Sequence, residues 1–253
     1  MTRKLGNIAD MTISILGSGW LGFPLSQSIR NLGHAVKLST RSADRLSLLA
    51  SASTFSYVIN IDNLADNIHD FLASDILIIN ITSKNYQSFI NLIEKIEQST
   101  VKKVLFISST SVYRAENAVV SEDTGMESFD SILFQIEQLF RLNSHFETTV
   151  LRLSGLIGYT RHPGRFFKHG KIVQQADTPV NLIHRDDCIG IIQSIIKQDA
   201  WNQAFNGCAT THPTKREFYS HARKLLSMPE PDFSSESEPV SHRARERITP
   251  SMA

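Results

Sequence analysis

Met11-Thr12-Ile13-Ser14-Ile15-Leu16-Gly17-Ser18-Gly19-Trp20-Leu21-Gly22 decides the reading of this chain. An apolar run, Ile13, Ile15 and Leu16, passes into a glycine turn. A helical segment over about residues 20–32 follows and closes at Gly33. Strand, G-x-G-x-x-G turn and helix in that order are the context in which the glycines count as a dinucleotide-binding fingerprint. Gly17 permits the tight turn, Gly19 carries no Cβ to block a pyrophosphate, and Gly22 lets helix and strand pack closely. The helix start, with Trp20 and Leu21, offers backbone N–H groups and a partial positive charge to phosphate. The competing reading is a glycine turn that serves structure alone.

The chain has 253 residues, of which 41% are hydrophobic, enough for a core in one large α/β domain with a small lobe. Its 26 basic and 25 acidic residues leave a net charge of +1, which argues against a nucleic-acid surface. Cys188 and Cys208 form no C-x-x-C and no disulfide framework, and suit buried apolar positions better than ligand positions. Residues 1–10 lack the apolar stretch of a signal peptide. No window approaches the roughly 20 apolar residues of a membrane span. The expectation is a protein of the reducing cytoplasm, with no membrane partner.

Apolar runs predict strands at 12–16, 35–40, 55–59, 75–80, 103–108 and 148–153. Ile76-Leu77-Ile78-Ile79 and Val104-Leu105-Phe106-Ile107 are continuous, as in parallel strands covered on both faces. Helices are predicted at 20–32, 42–50, 65–73, 85–98 and 129–143. Phe89, Leu92, Ile93 and Ile96 share one helical face, as do Ile132, Ile136, Leu139 and Phe140. Alternation of this kind gives an α/β fold with a doubly wound parallel sheet, a Rossmann arrangement. Beyond about 155 the rhythm breaks into a loop-rich stretch to 183, then helices at 185–197 and 214–226. We read residues 11–228 as one domain, a sheet core over 11–154 and a small C-terminal substrate lobe over 155–228. Residues 1–10 and the proline- and serine-rich 229–253, with Arg243, Arg245 and Arg247, read as disordered extensions.

A site that prefers NAD places an acid at the end of the second strand. Here that strand ends in Ser39-Thr40-Arg41-Ser42, with no carboxylate. Arg41 and the neighbouring hydroxyls suit a 2′-phosphate, so NADP is the expected cofactor and NAD the lesser one. The alternative is a solvated Arg41 at a helix start. Asp62, after the third strand, stands where adenine would lie, and a turn role is as simple an account. Thr82, after the fourth strand, fits either the cofactor ribose or a cap for the next helix.

Three later landmarks join the glycine turn: Ile107-Ser108-Ser109-Thr110-Ser111-Val112-Tyr113, Leu151-Arg152-Leu153-Ser154-Gly155-Leu156-Ile157-Gly158 and Val180-Asn181-Leu182-Ile183-His184-Arg185-Asp186-Asp187. In this order they resemble the extended short-chain dehydrogenase/reductase superfamily, the NAD-dependent epimerase/dehydratase group. The resemblance is greatest to its atypical, YeeZ-like bacterial branch and covers roughly residues 12–228. It implies a hydroxyl after the fifth strand, which Ser109 matches, with Ser108 beside the cofactor. It also implies a Tyr-x-x-x-Lys pair on the next helix, where the Tyr exchanges a proton and the Lys lowers its pKa. Glu137-Gln138-Leu139 resembles the stretch that follows that Lys, which sets Leu133 at the Lys place and Phe129 at the Tyr place. No Tyr or Lys occurs anywhere from 114 to 158. The glycine turn departs too, since the extended group usually has a further glycine at the place of Leu16.

Tyr113 is then the tyrosine nearest the expected nicotinamide end, a catalytic candidate at a position that the family uses for structure. Arg161 and Arg165, in Arg161-His162-Pro163-Gly164-Arg165, lie where the family contacts substrate, and two arginines there grip a phosphate or carboxylate, or else line a solvated loop. His184 and Asp187 resemble a scaffolding pair, and no metal site is expected. The family also implies a homodimer through helices 85–98 and 129–143. Two readings follow. One is an NADP-dependent oxidoreductase or epimerase for a small carbonyl or sugar-type molecule, with Ser109 polarising the substrate. The other is a non-catalytic NADP(H)-binding sensor or regulatory protein.

Overall fold

Ile13, Ile15 and Leu16 are fully buried in the first strand, β1 (Thr12–Leu16), so an apolar run covered on both faces is what the sheet centre required. The computed structural model describes residues 11–114, 119–167, 171–234 and 247–248. After β1 come α1 (Gly22–Asn31), β2 (Ala35–Thr40), a 3-10 turn (Ala43–Arg45), α2 (Leu46–Leu49), β3 (Phe55–Val58), α3 (Asn67–Phe71), β4 (Ile76–Ile79) and α4 (Tyr86–Glu97). Then follow β5 (Lys103–Ser109), β6 (Val119–Val120), α5 (Ile132–Arg141), β7 (Glu147–Leu153), β8 (Gly155–Ile157), β9 (Leu182–His184), α6 (Arg185–Gln198), β10 (Ala204–Gly207), α7 (Lys215–Leu225) and β11 (Arg247–Ile248).

Seven strands form one sheet in the order β10-β7-β5-β4-β1-β2-β3. The pairs β1–β2, β1–β4, β2–β3 and β4–β5 are parallel. Val150 N–H donates to Gln203 C=O and Ser154 N–H to Gly207 C=O, an advance of four residues on each strand that makes β7 and β10 parallel as well. The strand order turns back between β1 and β4, the topological switch point where open α/β sheets hold their ligands. The fold is the doubly wound α/β architecture expected from the sequence.

The chain divides into two compact units. The first takes in residues up to Ser108, Phe129–Leu151 and Ile189–Ala204. Its core packs Phe89, Leu92, Ile93 and Ile96 of α4 beside Ile136 and Phe140 of α5. Phe106 stacks on Phe140 at 5.2 Å, and Phe89 meets both rings edge-on at 6.0 Å. The second unit takes in Ser109–Ser128, Arg152–Cys188 and the residues from Phe205 onward. Its parallel pair β8–β9 and the helix α7 carry most of its regular structure, and α7 starts with a capping box in which Thr214 and Glu217 bond each other's backbone. Cys188 and Cys208 are free and buried, as expected.

Four differences from the sequence reading have identifiable causes. The helix expected over 42–50 is a 3-10 turn followed by one short α-turn, and the hydroxyls of Ser51 and Ser53 bond back to Leu48 and Leu49 C=O at its end. The helix expected from 129 starts at Ile132, because Ser131 is extended and its side chain accepts from Phe134 N–H. Strand β10 (Ala-Phe-Asn-Gly) was not expected at all; its Asn and Gly disfavour strands, and tertiary pairing holds it. The extension expected from 229 begins in described structure: Val173 N–H donates to Asp232 C=O, Arg223 donates to Pro229 C=O, and the Arg216 guanidinium lies over Phe233 at 4.6 Å. Residues 1–10, 235–246, with Arg243 and Arg245, and 249–253 lie outside the described residues.

Candidate functional site

The glycine turn is tied to the ends of two neighbouring strands. Gly17 has φ +107°, and a Cβ there would lie 2.4 Å from Asn80 C=O. Its N–H donates to Ser39 Oγ at the end of β2 (3.0 Å), and Asn80 Nδ2, just past β4, donates to its C=O (3.3 Å). A Cβ on Gly22 would lie 1.9 Å from Gly17 C=O, so α1 and β1 approach as only glycine allows. A Cβ on Gly19 would meet nothing within 4 Å. That face of the turn opens into a cleft of about 310 Å³ at the carboxyl ends of β1–β4. The ladder of α1 begins with Phe23 N–H to Gly19 C=O, so the amides ahead of it lie outside the helical ladder.

The cleft brings Gly17, Gly19, Arg41, Asp62 and Thr82 together, five of the expected cofactor residues. Thr82 is exposed there, and Asn85, not Thr82, caps α4 by accepting from Ser88 N–H. Asp62 is the only acidic side chain among the described lining residues, and its carboxylate accepts from Ser88 Oγ (2.6 Å) and Asn85 Nδ2 (3.0 Å). Trp20, Leu21 and Gly22 do not line the cleft: Leu21 is buried beneath the turn and Trp20 is half-buried beside it. Nor does Ser108, whose Oγ donates to the fully buried Glu137 (2.5 Å).

Of the hydroxyls after β2, Thr40 and Ser42 line the cleft, Thr40 Oγ1 accepting from Ser42 N–H (3.3 Å), while Ser39 is buried, lies outside the lining and accepts from Gly17 N–H. The sequence reading missed Arg45, which lines the cleft and donates to Ser18 C=O (3.2 Å). It also missed Ser39 and Asn80 as the ties of the glycine turn. The only signal for these was position, since each sits at or just past a strand end. As a test of fit, a pyrophosphate finds the uncrowded Gly19 and the helix start here, and a phosphate monoester finds Arg41 and Arg45. These residues fit the pyrophosphate and the adenosine end of a dinucleotide.

Phe129 and Leu133 stand at the positions that the resemblance assigns to the Tyr and the Lys. Phe129 lies ahead of α5 with 79% of its surface exposed, and its ring meets Phe134 edge-on. Leu133 is partly buried against the core. In the second unit, Ser109 is half-buried and caps the 3-10 turn Thr110–Val112 by accepting from Ser111 N–H (3.1 Å). Tyr113 corrects the catalytic expectation. It is buried, its hydroxyl donates to Asn206 Oδ1 and accepts from Arg152, both at 2.8 Å, and the guanidinium lies over its ring at 4.9 Å. Arg152 is wholly buried and also donates to Glu127 (2.6 Å). Burial pushes the phenol pKa up, outweighing the Arg152 cation, so the group is held neutral in a structural network.

Arg161 and Arg165 both have exposed side chains on a shaped loop. Gly158 and Arg161 exchange backbone hydrogen bonds, His162 caps the 3-10 turn Pro163–Arg165, and Gly164 packs on Ala222 C=O of α7. Beside it lies a cluster that the sequence reading did not assemble. Tyr159, at φ +51°, donates to Asp186 (2.8 Å), lies under the Arg185 guanidinium (3.9 Å) and tilts against His184 (5.5 Å).

No protein-family model matches the chain. Protein YeeZ of Escherichia coli (strain K12) is 28% identical over 236 residues, covering 87% of this chain and 86% of YeeZ. Among solved structures, a candidate NAD-dependent epimerase/dehydratase from Methylobacillus flagellatus superposes with a TM-score of 0.73 at 21% identity, over 94% of this chain and 89% of that one. UDP-glucuronic acid 4-epimerase from Bacillus cereus, in complex with NAD, gives 0.70 at 19% identity, over 88% and 87%. The resemblance read from the sequence thus holds: the chain is similar to YeeZ over most of both chains, and it shares its fold with epimerase/dehydratase-type proteins among the solved structures. Among the described residues no helix is long and apolar enough to cross a membrane.

Proposed function

We propose that this protein binds NADP(H) in the cleft and acts as an oxidoreductase or epimerase on a small carbonyl or sugar-type molecule without the Tyr-x-x-x-Lys pair. The observation that carries the reading is the open face of Gly19, in a cleft lined by Arg41 and Arg45 and, among its described lining residues, by a single acid, Asp62, whose Oδ1 accepts from Ser88 and Asn85. A bound nicotinamide supplies hydride transfer. The chain's own part is to hold the pyrophosphate at Gly19 and the start of α1, and the adenosine end between the ends of β2 and β3. Ser109 is the hydroxyl offered to a substrate oxygen, and Arg161 and Arg165 are offered to an anionic group. The NAD complex of the Bacillus cereus neighbour supports a nicotinamide cofactor of this general kind. Calorimetric titration of the full chain tests the reading: NADPH binds at least about tenfold tighter than NADH, a gap of roughly 1.4 kcal/mol. Failure of both at millimolar concentration overturns it.

The placement of Phe129 ahead of α5, with Leu133 turned to the core, favours a second reading, a cofactor-binding sensor or regulatory protein. NADPH oxidation against a panel of carbonyl compounds, keto-sugars and enones separates the two. Wild-type turnover rejects the sensor; tight NADPH binding with no turnover on any of them rejects the enzyme.

A further inference from the structure

Arg223, in the last turn of α7, is a buried guanidinium whose acceptors come from two separate segments. Its Nη2 donates to Phe167 C=O, at the end of the loop that carries Arg161 and Arg165. Its Nη1 donates to Pro229 C=O (3.1 Å), where the chain has just left α7. The same loop is pressed on α7 at Gly164, where a Cβ would lie 2.7 Å from Ala222 C=O. Beyond Pro229 the chain runs alongside Val173, which is 1% exposed. Val173 N–H donates to Asp232 C=O (2.7 Å), and its C=O accepts from Ser234 N–H (3.1 Å). This is a parallel bridge of Val173 with Phe233. Pro231, between the two attachments, is buried, and the Arg216 guanidinium lies over the Phe233 ring at 4.6 Å.

We propose that residues 229–234 form a strap that sets the shape of the loop bearing Arg161 and Arg165, with Arg223 as its buckle. Three features favour it. A guanidinium presents its donors in one rigid plane, so a single side chain fixes the Phe167 and Pro229 carbonyls relative to each other. Buried backbone groups need partners, so the Val173 peptide groups keep their place only while residues 232–234 lie beside them. The attachments stand at opposite ends of the strap, Pro229 at Arg223 and Asp232–Ser234 at Val173, so release at one end is felt at the other. The start of α7 is a separate anchor, since Arg216 N–H donates to Ala176 C=O (2.8 Å) and Lys215 N–H to Thr178 C=O (2.9 Å). The bearing on substrate rests on the reading of Arg161 and Arg165 as groups for an anion. A closed strap holds their loop in one geometry, and a released strap gives up that positioning.

Amide hydrogen exchange of the full-length wild type, Arg223→Met, Arg223→Lys and Ser234→Pro tests this. Segments 76–79 and 104–107 of the first unit are the reference, and circular dichroism melts verify folding. Arg223→Met keeps an apolar stem and removes both donors. It speeds exchange at 164–167 and at 232–234 by at least about tenfold, as loss of charge-assisted bonds does. Arg223→Lys, which keeps a charged donor and loses the fork, falls between. Ser234→Pro deletes only the N–H that meets Val173 C=O, and leaves Phe233 extended. It speeds exchange at 171–174 and, through the strap, at 164–167 by at least about threefold. Acceleration confined to 171–174 in Ser234→Pro, or to 164–167 in Arg223→Met, makes the bonds independent of one another and overturns the proposal. Should Arg223→Met fail to fold, Ser234→Pro decides alone. No ligand enters these measurements, so the anion reading is judged separately, by whether inorganic phosphate protects 161–167 in the wild type.

Discussion

Gly19 and Gly22 are three residues apart and do opposite work, and the difference is physical. At Gly22 a methyl group would sit 1.9 Å from Gly17 C=O, a backbone atom that cannot turn aside. At Gly19 the same methyl meets nothing within 4 Å and projects at the face that opens on the cleft. Gly22→Ala must therefore push α1 away from β1, and overpacking of this kind costs about 1–3 kcal/mol or more. Gly19→Ala leaves the stability of the free protein within about 0.5 kcal/mol, as is usual where no contact is lost. It nevertheless weakens NADPH at least about tenfold by crowding the pyrophosphate. Urea denaturation and nucleotide titration of the two variants check the contrast. If Gly19→Ala binds NADPH as the wild type does, the pyrophosphate does not lie on that face.

At the scale of elements, what the sequence disclosed and what it withheld divide by the range of the interactions involved. Strands β1, β2, β4 and β5 and helix α4 are set by local patterns, continuous apolar runs and a 3.6-residue stripe, and were read to within a residue or so of their ends. The glycine turn was legible because its three constraints are backbone constraints written into residue type. Ser39 and Asn80 were not, because a serine at a strand end serves a ligand or a neighbouring turn equally well until the strand order is known. Tyr113 misled for the same reason: only the folded chain brings Arg152 and Asn206 to its hydroxyl. Helix α6 shows how a residue read correctly as buried carries a measurable consequence. Burial, reinforced by the Asp187 carboxylate, pushes the Cys188 thiol from 9.0 up to about 12. A group whose pKa is raised by folding contributes stability that is intact below its unfolded value and lost as pH rises toward the folded one. Stability therefore falls between about pH 9 and pH 12, at up to roughly 1.4 kcal/mol per pH unit from this one group. Guanidinium melts across that window read the slope, and Cys188→Ala, though less stable at pH 7, flattens it. An unchanged slope in the variant assigns the alkaline loss to other groups.

For the whole molecule, every residue lining the cleft belongs to the first unit, while Ser109, Arg161 and Arg165 belong to the second. Cofactor recognition and the groups proposed for substrate are thus carried by different parts of the chain, and a ligand confined to the cleft should stabilise the parts unequally. At a ligand concentration of about 100 Kd, mass action adds roughly 2.7 kcal/mol to whatever unit binds it. A melting temperature averages over both units and is not a well-defined measure if they unfold separately. Amide hydrogen exchange resolves the question by segment, because local opening energies differ along a chain. With saturating NADPH, protection rises at residues 17–23, 40–45, 59–62 and 80–83, the four strand-end segments that converge on the cleft. Segments 152–167 and 205–225 of the second unit serve as the internal reference and change less. Protection concentrated in those reference segments instead would place the nucleotide away from the glycine turn, and the cleft would lose its claim to the cofactor.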